Sequence, residues 1–233
     1  MKAEMRDWLI EHFPKKGRVY CEPFAGRANV FFQMALVAKF DQWWLNDIRT
    51  ADFIKALAHV HPNLIPASVT KRAAAAWKQR AVDGDITALA LDAELTYCGI
   101  GFAQGGTVTA MASSPRSRIE KARILMNRTG PRVTSFDVLK VMEWPHWEAE
   151  DFVYFDPPYS AIDVGAYGTD DVNHERLLSR LAAAQYRWAL SNYEDPLYVE
   201  ALGPPTATLE RRRRGLSANR GVTVRECLWV KEA

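Results

Sequence analysis

The chain has 233 residues, of which 48% are apolar and 25% charged. That length and balance suit one large domain, or one domain carrying a smaller insertion, and exclude a disordered tail protein or a fibrous repeat. Thirty Lys and Arg against 28 Asp and Glu give a net charge of +2, which taken as a whole argues against a strongly basic coat for nucleic acid.

An amphipathic helix is predicted over about residues 2–13, from the helical spacing of Met5, Trp8, Leu9, His12 and Phe13. A turn at 14–17 leads to a short strand over 18–24, a helix over about 27–38, a buried aromatic strand over 42–47, and a helix from about Ile48 that fades at His61-Pro62. This strand–helix alternation favours a parallel sheet covered by helices. Residues 66–98 read as helical with a break at Gly84, and 99–115, rich in Gly, Ser and Thr, read as a loop or lid. A helix over 116–128, a third strand over 132–137 and a strand over 151–160 follow, then a helix from about 170. A strand over 186–192, a short helix over 196–202 and two closing strands at about 206–211 and 222–230 complete the chain. The expected architecture is a doubly wound, Rossmann-like α/β fold: a catalytic domain of 1–62 and 131–233, with a helical insertion at 63–130.

Three widely spaced cysteines, Cys21, Cys98 and Cys227, suit a reducing compartment, and the five histidines show no ligand spacing, so no metal is expected. No apolar run approaches the ~20 residues of a membrane span, so a cytoplasmic location is expected.

The segment richest in chemistry is Asp156-Pro157-Pro158-Tyr159, directly after the apolar run Phe152–Phe155. Two prolines cannot continue a ladder, so the chain must leave the sheet there, at the carboxyl edge where open α/β sheets bind ligands. The plain alternative is an ordinary Asp-Pro turn. A carboxylate and a backbone carbonyl at such a turn can accept both N–H groups of an amine conjugated to a flat base and localise its lone pair, while Tyr159 stacks on the ring. A second cluster runs from Cys21 to Phe32. Gly26 permits a tight turn between strand and helix, and Asp47, 21 residues on, ends the next strand where an acid reaches ribose hydroxyls. The pair points to a nucleoside-containing cofactor.

In this order, Glu22-Pro23-Phe24-Ala25-Gly26, Leu45-Asn46-Asp47-Ile48 and Asp156-Pro157-Pro158-Tyr159 resemble the Dam-like DNA adenine-N6 methyltransferases, and the closing stretch 225–229 is similar to phage-type members. The resemblance implies S-adenosylmethionine as cofactor, double-stranded DNA as partner, and flipping of the target adenine. It implies that Lys2, Glu22, Phe24, Gly26, Asp47, Phe136, Asp137 and Asp156 line the cofactor, and that Asp156, Pro157, Pro158 and Tyr159 form the catalytic turn. It leaves the oligomeric state open. The chain departs from the pattern in three places. Only Lys2 aligns with the glycine- and lysine-containing opening element, Ala28 stands for the second loop glycine, and residues 99–114 take the place of the recognition stretch.

The small net charge hides a partition. Residues 66–82 hold four cations and no acid, 111–132 hold six against one acid, and 207–225 hold six against one. These three runs carry +14 and everything else −12. Clustered cations are what phosphate contacts require, although each run alone reads equally well as a solvated face. Lys71, Arg72, Arg116, Arg118, Lys121, Arg123, Arg212 and Arg214 are the candidate DNA contacts. The expected function is methyl transfer to adenine N6 in DNA. The alternatives are an RNA or protein-amide methyltransferase, or a DNA-binding relative without catalysis.

Overall fold

In the computed structural model, which describes residues 3–66, 71–97, 115–158, 172–212 and 223–232, the chain begins with helix α1 (Ala3–Glu11), strand β1 (Lys16–Glu22), helix α2 (Asn29–Val37), strand β2 (Lys39–Asn46) and helix α3 (Ala51–His59). A single 3₁₀ turn (Pro62–Leu64) precedes helices α4 (Lys71–Val82), α5 (Ile86–Tyr97) and α6 (Pro115–Thr129). Strand β3 (Arg132–Thr134), helix α7 (Val138–Met142), strand β4 (Phe152–Phe155), helix α8 (His174–Ala183) and strand β5 (Arg187–Tyr193) follow. Helix α9 (Pro196–Leu202) and strands β6 (Ala207–Arg212) and β7 (Thr223–Lys231) end the described chain.

One mixed, mostly parallel sheet has the order β3-β2-β1-β4-β5-β7-β6. The first five strands in that order run parallel, and β7 lies antiparallel between β5 and β6. All four residues of β4 are buried, as expected of a central parallel strand with helices on both faces. The two faces alternate strictly with the pleat. Tyr20, Phe152, Tyr154, Ala189 and Leu228 enter one core with residues of α1, α2, α3, α5 and α6. Cys21, Val153, Phe155, Trp188, Leu190 and Cys227 enter the other with residues of α7, α8 and α9. This is the Rossmann-like α/β class expected from the sequence.

The segment 63–130 shares the first of these cores. Ala90, Leu91, Ile119, Ala122 and Met126 are buried with Phe31, Ile54 and Leu57 in one cluster. Within it, the expected break falls at Gly84, with φ +87. The third strand is shorter than expected and ends at Thr134. Asp137 does not extend it but caps α7, a helix absent from the sequence reading, by accepting a hydrogen bond from the Leu139 amide at 2.8 Å.

Candidate active site

The strand numbering runs outward from β1 through β2 and β3 on one side and from β4 to β5 on the other. Chain order therefore reverses between β1 and β4, and the crevice at their carboxyl ends is the place where such sheets take ligands. Both clusters singled out in the sequence converge there. Tyr20 pairs with Phe152 and Cys21 with Val153, which brings Glu22 and Asp156 to the same edge of adjacent strands although 134 positions separate them.

On the β4 side, Asp156 is half-buried and leads into buried Pro157 and exposed Pro158. Its Oδ1 accepts a hydrogen bond from Ser191 Oγ at 3.0 Å, and the same Oγ lies 2.8 Å from Tyr154 OH. Ser191 has a single hydroxyl proton, which it gives to Asp156, so the Tyr154 hydroxyl donates to Ser191. Both Tyr154 and Ser191 are buried, at 2% and 0% exposure, and this relay fixes the carboxylate of Asp156. Tyr159 lies outside the described residues.

On the β1 side, Glu22 is 2% exposed and accepts from Tyr20 OH at 2.7 Å. Burial pushes its carboxyl up to about 8; the Tyr20 hydrogen bond opposes this shift, and the nearby negative charge of Asp156 adds to it. Gly26 follows with φ +53, a left-handed conformation that favours glycine. A Cβ built on it meets nothing within 4 Å, so the space in front of the loop is open. Ala28, at φ 56, takes the same unusual conformation while fully buried.

The turn after β2 holds this loop. Asp47 accepts from the Gly26 amide at 2.8 Å through one carboxylate oxygen, and from the Arg49 and Thr50 amides at 2.9 and 2.8 Å through the other. Thr50 Oγ1 donates to the Gly26 carbonyl. Asn46, to which the sequence reading assigned no role, is 1% exposed and bonds to the backbone of both neighbouring turns. Phe24 and Phe136 are half-buried against the α7–α9 core, with Lys140 Nζ 4.4 Å from the Phe136 ring centre. Asp137 is exposed.

Residues 1–79 match the family model of the D12 class N6 adenine-specific DNA methyltransferases. The matched third contains the Glu22–Gly26 loop and Asp47, and stops before Asp156. No curated protein matches the chain in sequence. Among solved structures, the chain is similar to a possible methylase from Clostridium difficile 630 at 13% identity and a TM-score of 0.43, over 98% of this chain and 52% of that one. The present chain thus spans about half of that protein's length. An rRNA methylase from Streptococcus thermophilus is similar at 11% identity and a TM-score of 0.34, over 98% of this chain and 97% of that one.

The candidate DNA contacts divide. Lys121 is exposed on α6, whereas Arg116 sends Nε and Nη2 to the Ile65 carbonyl at 3.1 and 2.7 Å and ties α6 to the 3₁₀ turn. Arg118 and Arg123 are half-buried on the same helix. Lys71 and Arg72 open α4, and Arg212 closes β6 opposite Thr223. Because β6 runs with β5, Arg212 ends at the same sheet edge as Asp156. Arg214 and Lys2 lie outside the described residues. Other cations of the basic runs are paired within the fold: Arg225 with Glu194 and Glu210, and Arg80 with Asp85. Among the described residues no group of His, Cys, Asp and Glu is arranged to hold a metal ion, and no helix is long and apolar enough to cross a membrane.

Proposed function

We propose that this chain is an S-adenosylmethionine-dependent methyltransferase that modifies the N6 amino group of adenine in double-stranded DNA. One observation carries the reading: the Glu22–Gly26 loop and the Asp156-Pro157-Pro158 turn, far apart in sequence, meet at the switch point of the sheet. The family match over residues 1–79 supports it.

The β1 side fits a nucleoside-containing cofactor. The position a Cβ would take on Gly26 is open, and the half-buried rings of Phe24 and Phe136, packed against the α7–α9 core, would offer flat apolar surface to the cofactor. Asp47 uses three of about four carboxylate acceptor sites on its own turn and loop, which leaves capacity for a ribose hydroxyl. Glu22, Phe24, Gly26, Asp47, Phe136 and Asp137 would line S-adenosylmethionine together with Lys2, and Asp156 would reach it from β4. The cofactor supplies, when bound, an electrophilic methyl group on a sulfonium centre.

The chain's own residues do the rest. Asp156 accepts one N–H of the target amine, and a backbone carbonyl of its proline turn accepts the other. This draws the nitrogen toward tetrahedral geometry and localises its lone pair for in-line attack. As the new N–C bond forms and the S–C bond breaks, the amine carries a positive charge, and the proton it sheds passes to the Asp156 carboxylate. Tyr159 stacks on the base, which must leave the duplex because the amino group is out of reach in the stack. Cations of α4, α6 and the end of β6 take up phosphate charge.

Incubating the protein with methyl-labelled S-adenosylmethionine and separate DNA, RNA and protein pools tests the substrate. Label recovered as N6-methyladenine in DNA is expected. Label in RNA or protein assigns the chemistry to another planar nitrogen, and DNA binding without transfer marks a non-catalytic relative. Sequencing of methylated adenines in DNA from cells expressing the protein then gives the recognition site.

A further inference from the structure

Four hydrogen bonds converge on one buried carboxamide at the end of β2. Asn46 Nδ2 donates to the Pro23 carbonyl at 3.0 Å and to the Phe136 carbonyl at 2.9 Å. Its Oδ1 accepts from the Phe136 amide at 2.8 Å and from Thr134 Oγ1 at 2.7 Å. Its main-chain carbonyl accepts from the Ala25 amide at 2.9 Å. Both donors and both acceptor positions of the side chain are therefore used, with the partners drawn from the turn after β1, the last residue of β3 and the turn that follows it. Thr134 Oγ1 in turn accepts from Trp44 Nε1 at 2.8 Å, so its hydroxyl proton is committed to Asn46.

These demands call for a carboxamide. Aspartate has the acceptors but no donor for the two carbonyls, and leucine has neither. The Pro23 and Phe136 carbonyls belong to the turns that carry the two half-buried rings of Phe24 and Phe136, both packed against the α7–α9 core. One carboxamide thus links the two turns directly.

We propose that Asn46 is the positioning residue for the cofactor cleft, a clamp that fixes the Pro23–Gly26 loop and the Phe136–Asp137 turn at the separation a nucleoside cofactor requires. It touches no substrate and acts through the backbone of both walls. The proposal rests on the S-adenosylmethionine reading of this cleft. Losing the clamp lets the walls drift, so cofactor binding weakens while Asp156, held from β5 by Ser191, keeps its place.

The test compares Asn46→Asp, Thr134→Val and Thr134→Ser with the wild-type chain, measuring S-adenosylmethionine affinity by calorimetry and steady-state methyl transfer to DNA. Asn46→Asp is expected to raise Kd and KM for S-adenosylmethionine about tenfold or more, with kcat at saturating cofactor within about twofold and KM for DNA unchanged. Thr134→Val is expected to raise the same KM about threefold, and Thr134→Ser, which keeps the hydroxyl, to restore it. A merely structural role lowers the active fraction, and so the apparent kcat, without moving KM. That pattern, or unchanged affinity in both Asn46→Asp and Thr134→Val, overturns the proposal. If Asn46→Asp does not fold, the Thr134 pair decides alone. A wild-type protein that folds but binds no S-adenosylmethionine overturns instead the reading of the cleft, and the clamp falls with it.

Discussion

On the β1–β2–β3 side of the switch point, side chains hold backbone: Asn46, Asp47 and Thr50 bind main-chain groups of the Glu22–Gly26 loop and the Phe136 turn. On the β4–β5 side, side chains hold a side chain: Tyr154 gives a proton to Ser191 and Ser191 gives one to Asp156. The first arrangement makes a mould and the second aims a single functional group. Perturbing the mould should therefore change how tightly a cofactor binds, and perturbing the relay should change how fast a bound substrate reacts. Glu22 stands between them, built into the mould yet within electrostatic reach of Asp156.

The largest expected effect concerns Glu22. Its folded-state pKa, about 8, lies above the ordinary 4.5, so between those values the folded chain keeps a proton that the unfolded chain has lost. Stability from this group is therefore fully present below about pH 4.5 and is lost as pH rises through about 8, by a few kcal/mol. Glu22→Gln keeps a neutral acceptor for Tyr20 and should remove that slope. Urea unfolding of both proteins from pH 5 to 9 checks this, and parallel curves would show that Glu22 ionises normally.

Ser191→Ala separates the two halves most cleanly. It removes the hydrogen bond between Ser191 and the buried Tyr154 hydroxyl, at a cost of about 1 kcal/mol in unfolding free energy. It should also lower kcat about tenfold with KM for S-adenosylmethionine unchanged. A shift in KM alone would place Ser191 in the mould. The basic helix α6 offers a similar contrast. Arg116→Ala should cost about 1–2 kcal/mol of stability, because the Ile65 carbonyl loses both donors. Lys121→Ala should leave the melting temperature unchanged and reduce the salt slope of DNA binding by about 1, measured by fluorescence anisotropy across salt. The smallest effect is expected from Ala28→Gly. Relief of the left-handed conformation and loss of a buried methyl, each about 1 kcal/mol, nearly cancel. A large stabilisation would show that the loop stores more strain than its dihedrals imply.

Much of this was legible in the sequence. The apolar run Phe152–Phe155 broken by two prolines marks where a strand must end, and Gly26 followed by Asp47 marks a turn and the acid that meets it. Parallel order followed from strand–helix alternation. Other features were not legible, because they depend on partners that local pattern does not reveal. Asn46 reaches residues 23 and 90 positions away. Residues 132–137 read as one strand because nothing local shows that Asn46 pins Phe136 and that Asp137 caps a helix. Counting cations located the basic runs, but Arg116 is committed to Ile65 and Arg225 to two glutamates, so part of that charge is used within the fold.

The central claim is that the turns after β1 and β4 form one methyl-transfer site, and single-turnover transfer from labelled S-adenosylmethionine to duplex DNA tests it most directly. With cofactor saturating, the wild-type chain should place label on adenine N6, while Asp156→Ala should bind DNA with near-wild-type affinity and transfer at least about a hundredfold more slowly. Transfer by Asp156→Ala at the wild-type rate would contradict the account.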